Sequence, residues 1–201
     1  MAITLYYSRY SRAERVRWLL EELGVDYTLE SASIEKGLNE TAEYKAVHPL
    51  GKVPALRIDD RVMLESGAMC IHLADRYTDK GLAVPIDSSE RAEYLQWILF
   101  ACTELEPPLT WHYYHTSGWE EAKRDPTQAA YGLEQFNLAA AVIADHLSDR
   151  EYMVDNRFTT ADIVVGAVLG MARGLGILPP SLRDYGKRVG TRPAARAARA
   201  D

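Results

Sequence analysis

The apolar positions change their period along the chain, and that change divides it. Ile3-Thr4-Leu5-Tyr6-Tyr7 is a short, nearly continuous apolar run, which predicts a buried strand. Val16, Leu19, Leu20 and Leu23 then recur at helical spacing, with Gly24 as the stop. Ahead of them Ser11-Arg12-Ala13-Glu14 has the form of a capping box, so a helix is expected to open at Ser11. Residues 27–30 read as a second strand, completing a βαβ unit. Residues 32–47 carry no clear period beyond a short helix over 40–47. Residues 55–58 and 62–64 form a hairpin pattern around Asp59-Asp60, and residues 66–77 are helical.

After a stretch rich in Asp, Lys, Gly and Pro, every later segment has helical character. Residues 89–105 predict a long helix broken by Pro107-Pro108, and residues 127–147 a second. Residues 159–174 are apolar nearly all round, which belongs at the centre of a bundle. Thr159 and Asp162 are its polar exceptions and read as a structural N-cap pair, because a buried helix start must satisfy its orphan N–H groups. An Ala- and Arg-rich tail over 194–201 is expected to end a last helix. The pattern therefore predicts an α/β domain over residues 1–79, a linker over 80–88 and an all-helical domain over 89–201.

The bulk numbers narrow the functional classes. A hydrophobic content of 47% and a charged content of 26% suit a globular protein. The net charge of −6 argues against nucleic acid as a general partner. Residues 1–5 lack a basic leader region, and no apolar stretch reaches membrane-spanning length, so a cytoplasmic location is expected. Cys70 and Cys102 stand far apart without a CxxC pair and are expected to fill helix cores. His112 and His115 lie three apart, but no further ligand accompanies them, so no metal is expected.

The strongest chemical signal is His48-Pro49-Leu50-Gly51-Lys52-Val53-Pro54-Ala55-Leu56. A proline at the entrance to an apolar strand gives no N–H to the ladder. A cis Val53–Pro54 bond would explain it by turning the Val53 backbone outward as a pairing edge. Such an edge suits an extended peptide. Lys52 adds a cation, and the helix opening at Glu65-Ser66 offers unpaired N–H groups to a carboxylate. Taken singly, Ser66 is a generic cap and Lys52 a solvated charge. Together they describe a pocket for a short anionic peptide.

These residues, together with Tyr6-Tyr7-Ser8-Arg9-Tyr10-Ser11, Arg17-Trp18-Leu19-Leu20-Glu21-Glu22-Leu23-Gly24, Glu65-Ser66-Gly67-Ala68 and Phe158-Thr159-Thr160-Ala161-Asp162-Ile163, resemble the cytosolic glutathione S-transferase family along nearly the whole chain. The resemblance implies an N-terminal thioredoxin-like domain that binds glutathione, followed by a C-terminal helical bundle domain. It implies glutathione as co-substrate, no metal, and a homodimer that joins the glutathione thiolate to hydrophobic electrophiles. A glutathione-dependent peroxidase, disulfide reductase, isomerase or lyase is an alternative on the same scaffold. So is a non-catalytic glutathione- or protein-binding module.

By the same resemblance, the Val53 backbone would pair with the cysteinyl segment of glutathione beside Pro54, Lys52 would meet the glycine carboxylate, and Glu65 and Ser66 would hold the γ-glutamyl end. Glu104 or Glu106 would reach a partner subunit's ligand. Lowering a thiol pKa by one to two units takes about 1.4–2.8 kcal/mol. One hydrogen bond to a charged acceptor supplies roughly 1.5–3 kcal/mol, so a single hydroxyl suffices. Ser11 occupies the place of the activating residue in serine-type members, although capping alone would also explain it. Tyr6 and Tyr7 are rival donors, and strand alternation lets only one of them face the thiol. Tyr10 on the turn, with Trp111 and Tyr114 from the aromatic cluster that runs to Trp119, would line the electrophile pocket, although such a cluster equally packs a helix bundle or a dimer seam.

Overall fold

In the computed structural model, which describes residues 2–200, strand β1 (Ile3–Tyr7) sits inside a four-stranded sheet. It runs parallel to β2 (Thr28–Ser31) and antiparallel to β3 (Ala55–Ile58), and β3 pairs in turn with β4 (Arg61–Met63). Helix α1 (Ala13–Leu23) makes the crossover from β1 to β2, ending at Gly24 with φ 63°, a backbone that glycine adopts freely. The unsettled stretch before β3 holds a 3₁₀ turn (Leu38–Glu40) and a single-turn helix α2 (Ala42–Lys45). Helix α3 (Ser66–Arg76) follows the hairpin and packs on α1. The two tyrosines of β1 part as alternation requires. The Tyr6 ring meets Tyr44 of α2 edge-on at 5.7 Å, and the Arg17 guanidinium of α1 lies 5.3 Å from the Tyr7 ring centre.

Contacts divide the chain into Met1–Pro85 with Thr191–Asp201, and Ile86–Gly190. The tail expected in the helical domain thus groups with the sheet, and residues 78–80 of the expected boundary region form a 3₁₀ turn. The reason is local charge and packing. Arg192 grips both oxygens of Glu22 at 2.6 and 2.8 Å, the following helix α9 (Pro193–Ala197) packs on α1, and Arg199 lies over the Trp18 ring.

The second unit corrects the expected break at Pro107-Pro108. Helix α4 (Arg91–Phe100) passes through a π-helical turn (Ala101–Leu105) directly into α5 (Glu106–Tyr113), and a second π turn (Tyr114–Gly118) extends it further. The prolines occupy the first turn of α5, where their missing N–H groups are tolerated, and the wider π turn before them makes room. Helix α6 (Pro126–His146) starts at Asp125, whose carboxylate accepts from the N–H groups of Thr127 and Gln128. A Cβ on Gly132 would stand 2.8 Å from the His112 nitrogen and the Pro108 oxygen, so α5 and α6 touch backbone to backbone there.

Helix α7 (Thr160–Gly174) is the buried centre that its apolar sequence predicts. Its capping box is closed: Asp162 accepts from the Thr159 N–H at 2.8 Å, the Met153 N–H at 2.9 Å and the Tyr185 hydroxyl at 2.9 Å. Tyr185 belongs to α8 (Arg183–Gly190), a polar helix with no clear sequence signal. Among the described residues, no helix is long and apolar enough to cross a membrane.

Candidate functional site

The turn after β1 is held by side chains in place of regular structure. Tyr10 stands at φ 57° and is 86% exposed, and its N–H donates to the Glu14 carboxylate at 2.9 Å. The Ser11 hydroxyl donates to the Ser8 carbonyl at 2.6 Å and accepts from the Ala13 N–H at 3.2 Å. Glu14 thus reaches Tyr10, where a box on Ser11 would need the Ser11 N–H, and the helix begins two residues late, at Ala13. Ser11 is a cap in part, with its one proton resting on a carbonyl.

The tyrosines have unlike surroundings. Tyr6 is packed in an apolar cluster with Ala13, Ala32, Tyr44, Val53 and Ala55, and burial, then Glu30, raises its pKa. The Tyr7 hydroxyl oxygen is buried without a partner at hydrogen-bonding geometry among the described residues. Burial, then Glu14, raises its pKa, with Arg17 opposing, so this hydroxyl keeps its proton.

Ahead of β3 the chain is pinned from several sides. The Tyr44 hydroxyl donates to the Lys52 carbonyl at 2.7 Å, and the Asn39 amide to the Gly51 carbonyl at 2.9 Å. His48, lowered in pKa chiefly by burial, accepts the Leu50 N–H on Nδ1, and both Glu65 and Lys52 act on its charge. The Val53–Pro54 bond is cis. The Val53 side chain is buried, the Lys52 side chain is exposed, and no turn or cap hydrogen bond uses the Val53 backbone among the described residues.

At the start of α3, Glu65 is exposed at φ 69°, ψ 105°, a conformation that costs a non-glycine residue on the order of 1–3 kcal/mol. Ser66 beside it is buried and accepts a hydrogen bond from the Arg15 guanidinium at 3.5 Å. Arg15 lies four residues after Ser11, so the first turn and the Glu65-Ser66 corner are one side chain apart. The partner of Arg15 lies 51 positions away, and no local pattern announces the pair.

The second unit brings Trp111 and Tyr114 together through Trp119, which stacks on Tyr114 at 5.1 Å and meets Trp111 edge-on at 5.8 Å. His115 packs against both tryptophans, with Nδ1 accepting from the Asp125 N–H, and His112 Nδ1 bonds the Ala129 carbonyl. Both histidines are structural here. Among the described residues, no group of three or more ligating side chains is placed to hold a metal. Trp111 also lines an open groove of about 720 Å³ between α5 and α6, with Phe100, Pro107 and Tyr131. Glu104 lies on its wall, whereas Glu106 is buried. Tyr10 belongs to the other unit.

Comparison with known proteins bears on both units. Residues 5–81 match the protein-family model described as "Glutathione S-transferase, N-terminal domain", and residues 105–190 match "Glutathione S-transferase, C-terminal domain". "Glutathione S-transferase GstA" of Escherichia coli O157:H7 is 34% identical over 76% of this chain and 74% of its own length. "Disulfide-bond oxidoreductase YfcG" of Escherichia coli K12 is 25% identical over 96% of this chain and 92% of its own. The theta class glutathione S-transferase of Xanthomonas axonopodis pv. citri, solved with glutathione bound, superposes with a TM-score of 0.86 at 27% identity. That match covers 100% of this chain and 98% of the other.

Proposed function

This chain belongs to the glutathione S-transferase family, and we propose that it binds glutathione in its sheet-containing unit and transfers the thiolate to hydrophobic electrophiles. The observation that carries the reading is the Arg15–Ser66 contact, because it sets the start of α1 beside the start of α3. A tripeptide paired along Val53 would then have its γ-glutamyl end at Glu65 and Ser66, its thiol at the first turn and its glycine carboxylate near Lys52. Glu65 accepts from the ligand's ammonium, and Ser66 with the α3 N-terminus takes the α-carboxylate.

Ser11 is the proposed donor to the thiolate. Its proton leaves the Ser8 carbonyl, a neutral hydrogen bond of about 0.5–1.5 kcal/mol, for a charged sulfur where a bond contributes about 1.5–3 kcal/mol. The exchange favours the thiolate, and the lone pair that caps Ala13 need not move. Tyr7, with its buried and protonated hydroxyl, is the second candidate; Tyr6 packs toward α2.

We place the protein in the cytoplasm as a homodimer, with the electrophile held on the second unit's Trp111 and Tyr114. The exposed apolar row Tyr131, Leu138 and Val142 on α6 supports self-association, because one patch repeated about a two-fold axis can cover itself. A second reading, reduction of disulfides by two glutathione molecules with release of glutathione disulfide, draws on the likeness to YfcG.

Calorimetric titration with glutathione, paired with turnover of an activated aryl halide and of a small disulfide, tests the proposal. Binding with aryl turnover, and an affinity at least about tenfold weaker in Glu65→Ala, is expected. Disulfide turnover alone would favour the second reading. Binding without either activity would leave a binding module, and no binding would overturn the account.

A further inference from the structure

Behind the proposed γ-glutamyl corner lies a buried guanidinium, that of Arg15. Arg15 is 3% exposed and Ser66 is 6% exposed, so neither is a surface charge or a solvated cap. An arginine keeps its proton in a protein, so a full positive charge lies inside this unit. It points its Nη1 at the Ser66 oxygen, at 3.5 Å. The adjacent α3 carries no acidic residue in its first turn, and the Glu65 side chain at its N-cap makes no cap hydrogen bond, so the N–H groups of the helix start are not capped by it. The same α1 turn is held against α3 from a second side, where the Cys70 thiol lies 3.9 Å from the Arg15 carbonyl.

We infer that Arg15 is a positioning residue for the carboxylate end of the bound peptide, acting through the Ser66 hydroxyl. The inference rests on the glutathione-binding reading given above. A serine hydroxyl has one proton and two lone pairs. With a lone pair of Ser66 taken by the guanidinium from inside, its proton is turned outward, where an arriving carboxylate accepts it. The guanidinium also polarises that O–H and adds its charge to the helix end, both of which favour an anion over a neutral group. Arg15 is too deeply buried to be the ligand's first contact. Its effect is therefore selective: it acts on the carboxylate and leaves the rest of the peptide untouched.

That selectivity supplies the test. The affinities of glutathione and of an analogue lacking the α-carboxylate of its γ-glutamyl residue are measured on the wild-type chain, Arg15→Gln, Arg15→Lys and Ser66→Ala. The wild type is expected to favour glutathione by about tenfold or more. Arg15→Gln weakens glutathione by about tenfold and leaves the analogue unchanged, so the preference collapses. It raises KM for glutathione while kcat at saturation holds. Ser66→Ala does the same, and the double variant is no worse than either single one, because the two residues act in series. Arg15→Lys, which keeps the charge, retains part of the preference, and it carries the test should Arg15→Gln fail to fold. Equal weakening of both ligands in the Arg15 variants would mark a purely structural role and overturn the inference. A wild type that binds neither ligand would overturn the glutathione reading first, and this inference with it.

Discussion

Two helix starts in this chain share one sequence pattern and differ in almost everything else. Ser11-Arg12-Ala13-Glu14 and Thr159-Thr160-Ala161-Asp162 both carry the hydroxyl and the acid three apart that mark a capping box. At α7 the box closes, fully buried, and Asp162 gathers further donors from Met153 and Tyr185. At α1 it opens: Glu14 takes the Tyr10 N–H, and Ser11 turns its proton back to Ser8. Burial decides between them. Where no water can serve the orphan N–H groups, every polar atom is committed to structure. Where the turn is exposed, a hydroxyl can hold a provisional bond and give it up to a ligand. The motif announces a helix start, and only its surroundings say whether it also has chemistry to spare.

Removing each acid or hydroxyl in turn separates the two helix starts. Asp162→Ala strands the Met153 and Thr159 N–H groups and the Tyr185 hydroxyl in the core, and is expected to lose about 3–5 kcal/mol of stability in denaturant unfolding. An effect under about 1 kcal/mol would show that the box carries little. The same carboxyl gives a pH signature, because burial pushes it up to about 6 from the ordinary 3.8. A raised value means that the folded state holds the proton more tightly. The contribution is full below about pH 4 and is lost as pH rises through about 6, a swing of roughly 3 kcal/mol. The stability of the wild type relative to Asp162→Asn should fall as pH rises through that window. A flat difference would contradict the burial argument.

Ser11→Ala is expected to do the reverse of Asp162→Ala. It should lower kcat/KM by about 1.5–3 kcal/mol, or roughly ten- to a hundredfold, and shift stability by no more than about 1 kcal/mol. Loss of stability with turnover intact would make Ser11 a cap and nothing else. The smallest effect on stability is expected at Glu65. Replacing it with Gly relieves the backbone at φ 69°, so the melting temperature should hold or rise slightly, by up to about 1 kcal/mol of stability, while glutathione affinity falls. A fall in both would remove the idea that strain is kept there for binding.

Much of this was legible in the residues alone. Apolar runs and the 3.6-residue period mark β1, α1, β3, α6 and α7 to within one or two positions, because their apolar residues lie in a core. Pro107-Pro108 predicts a break that the helix does not make, because a π turn is set by packing and has no composition of its own. Helix α8 and the return of α9 to α1 depend on partners far away, Asp162 for Tyr185 and Glu22 for Arg192, which a local window cannot see. The site divides in the same way. Val53-Pro54 and Glu65-Ser66 stand out through backbone chemistry that only certain residues tolerate. The Arg15–Ser66 contact, and the choice among Ser11, Tyr6 and Tyr7, are properties of the assembled fold.

The proposed function requires the first turn to lower the pKa of a bound thiol. The ultraviolet thiolate band of bound glutathione, titrated against pH on the wild type and on Ser11→Ala, tests it most directly. A band rising one to two units below the free-thiol value of about 8.5, and lost in the variant, is expected. A band that rises only at the free-thiol value in the wild type, with glutathione bound, would contradict it.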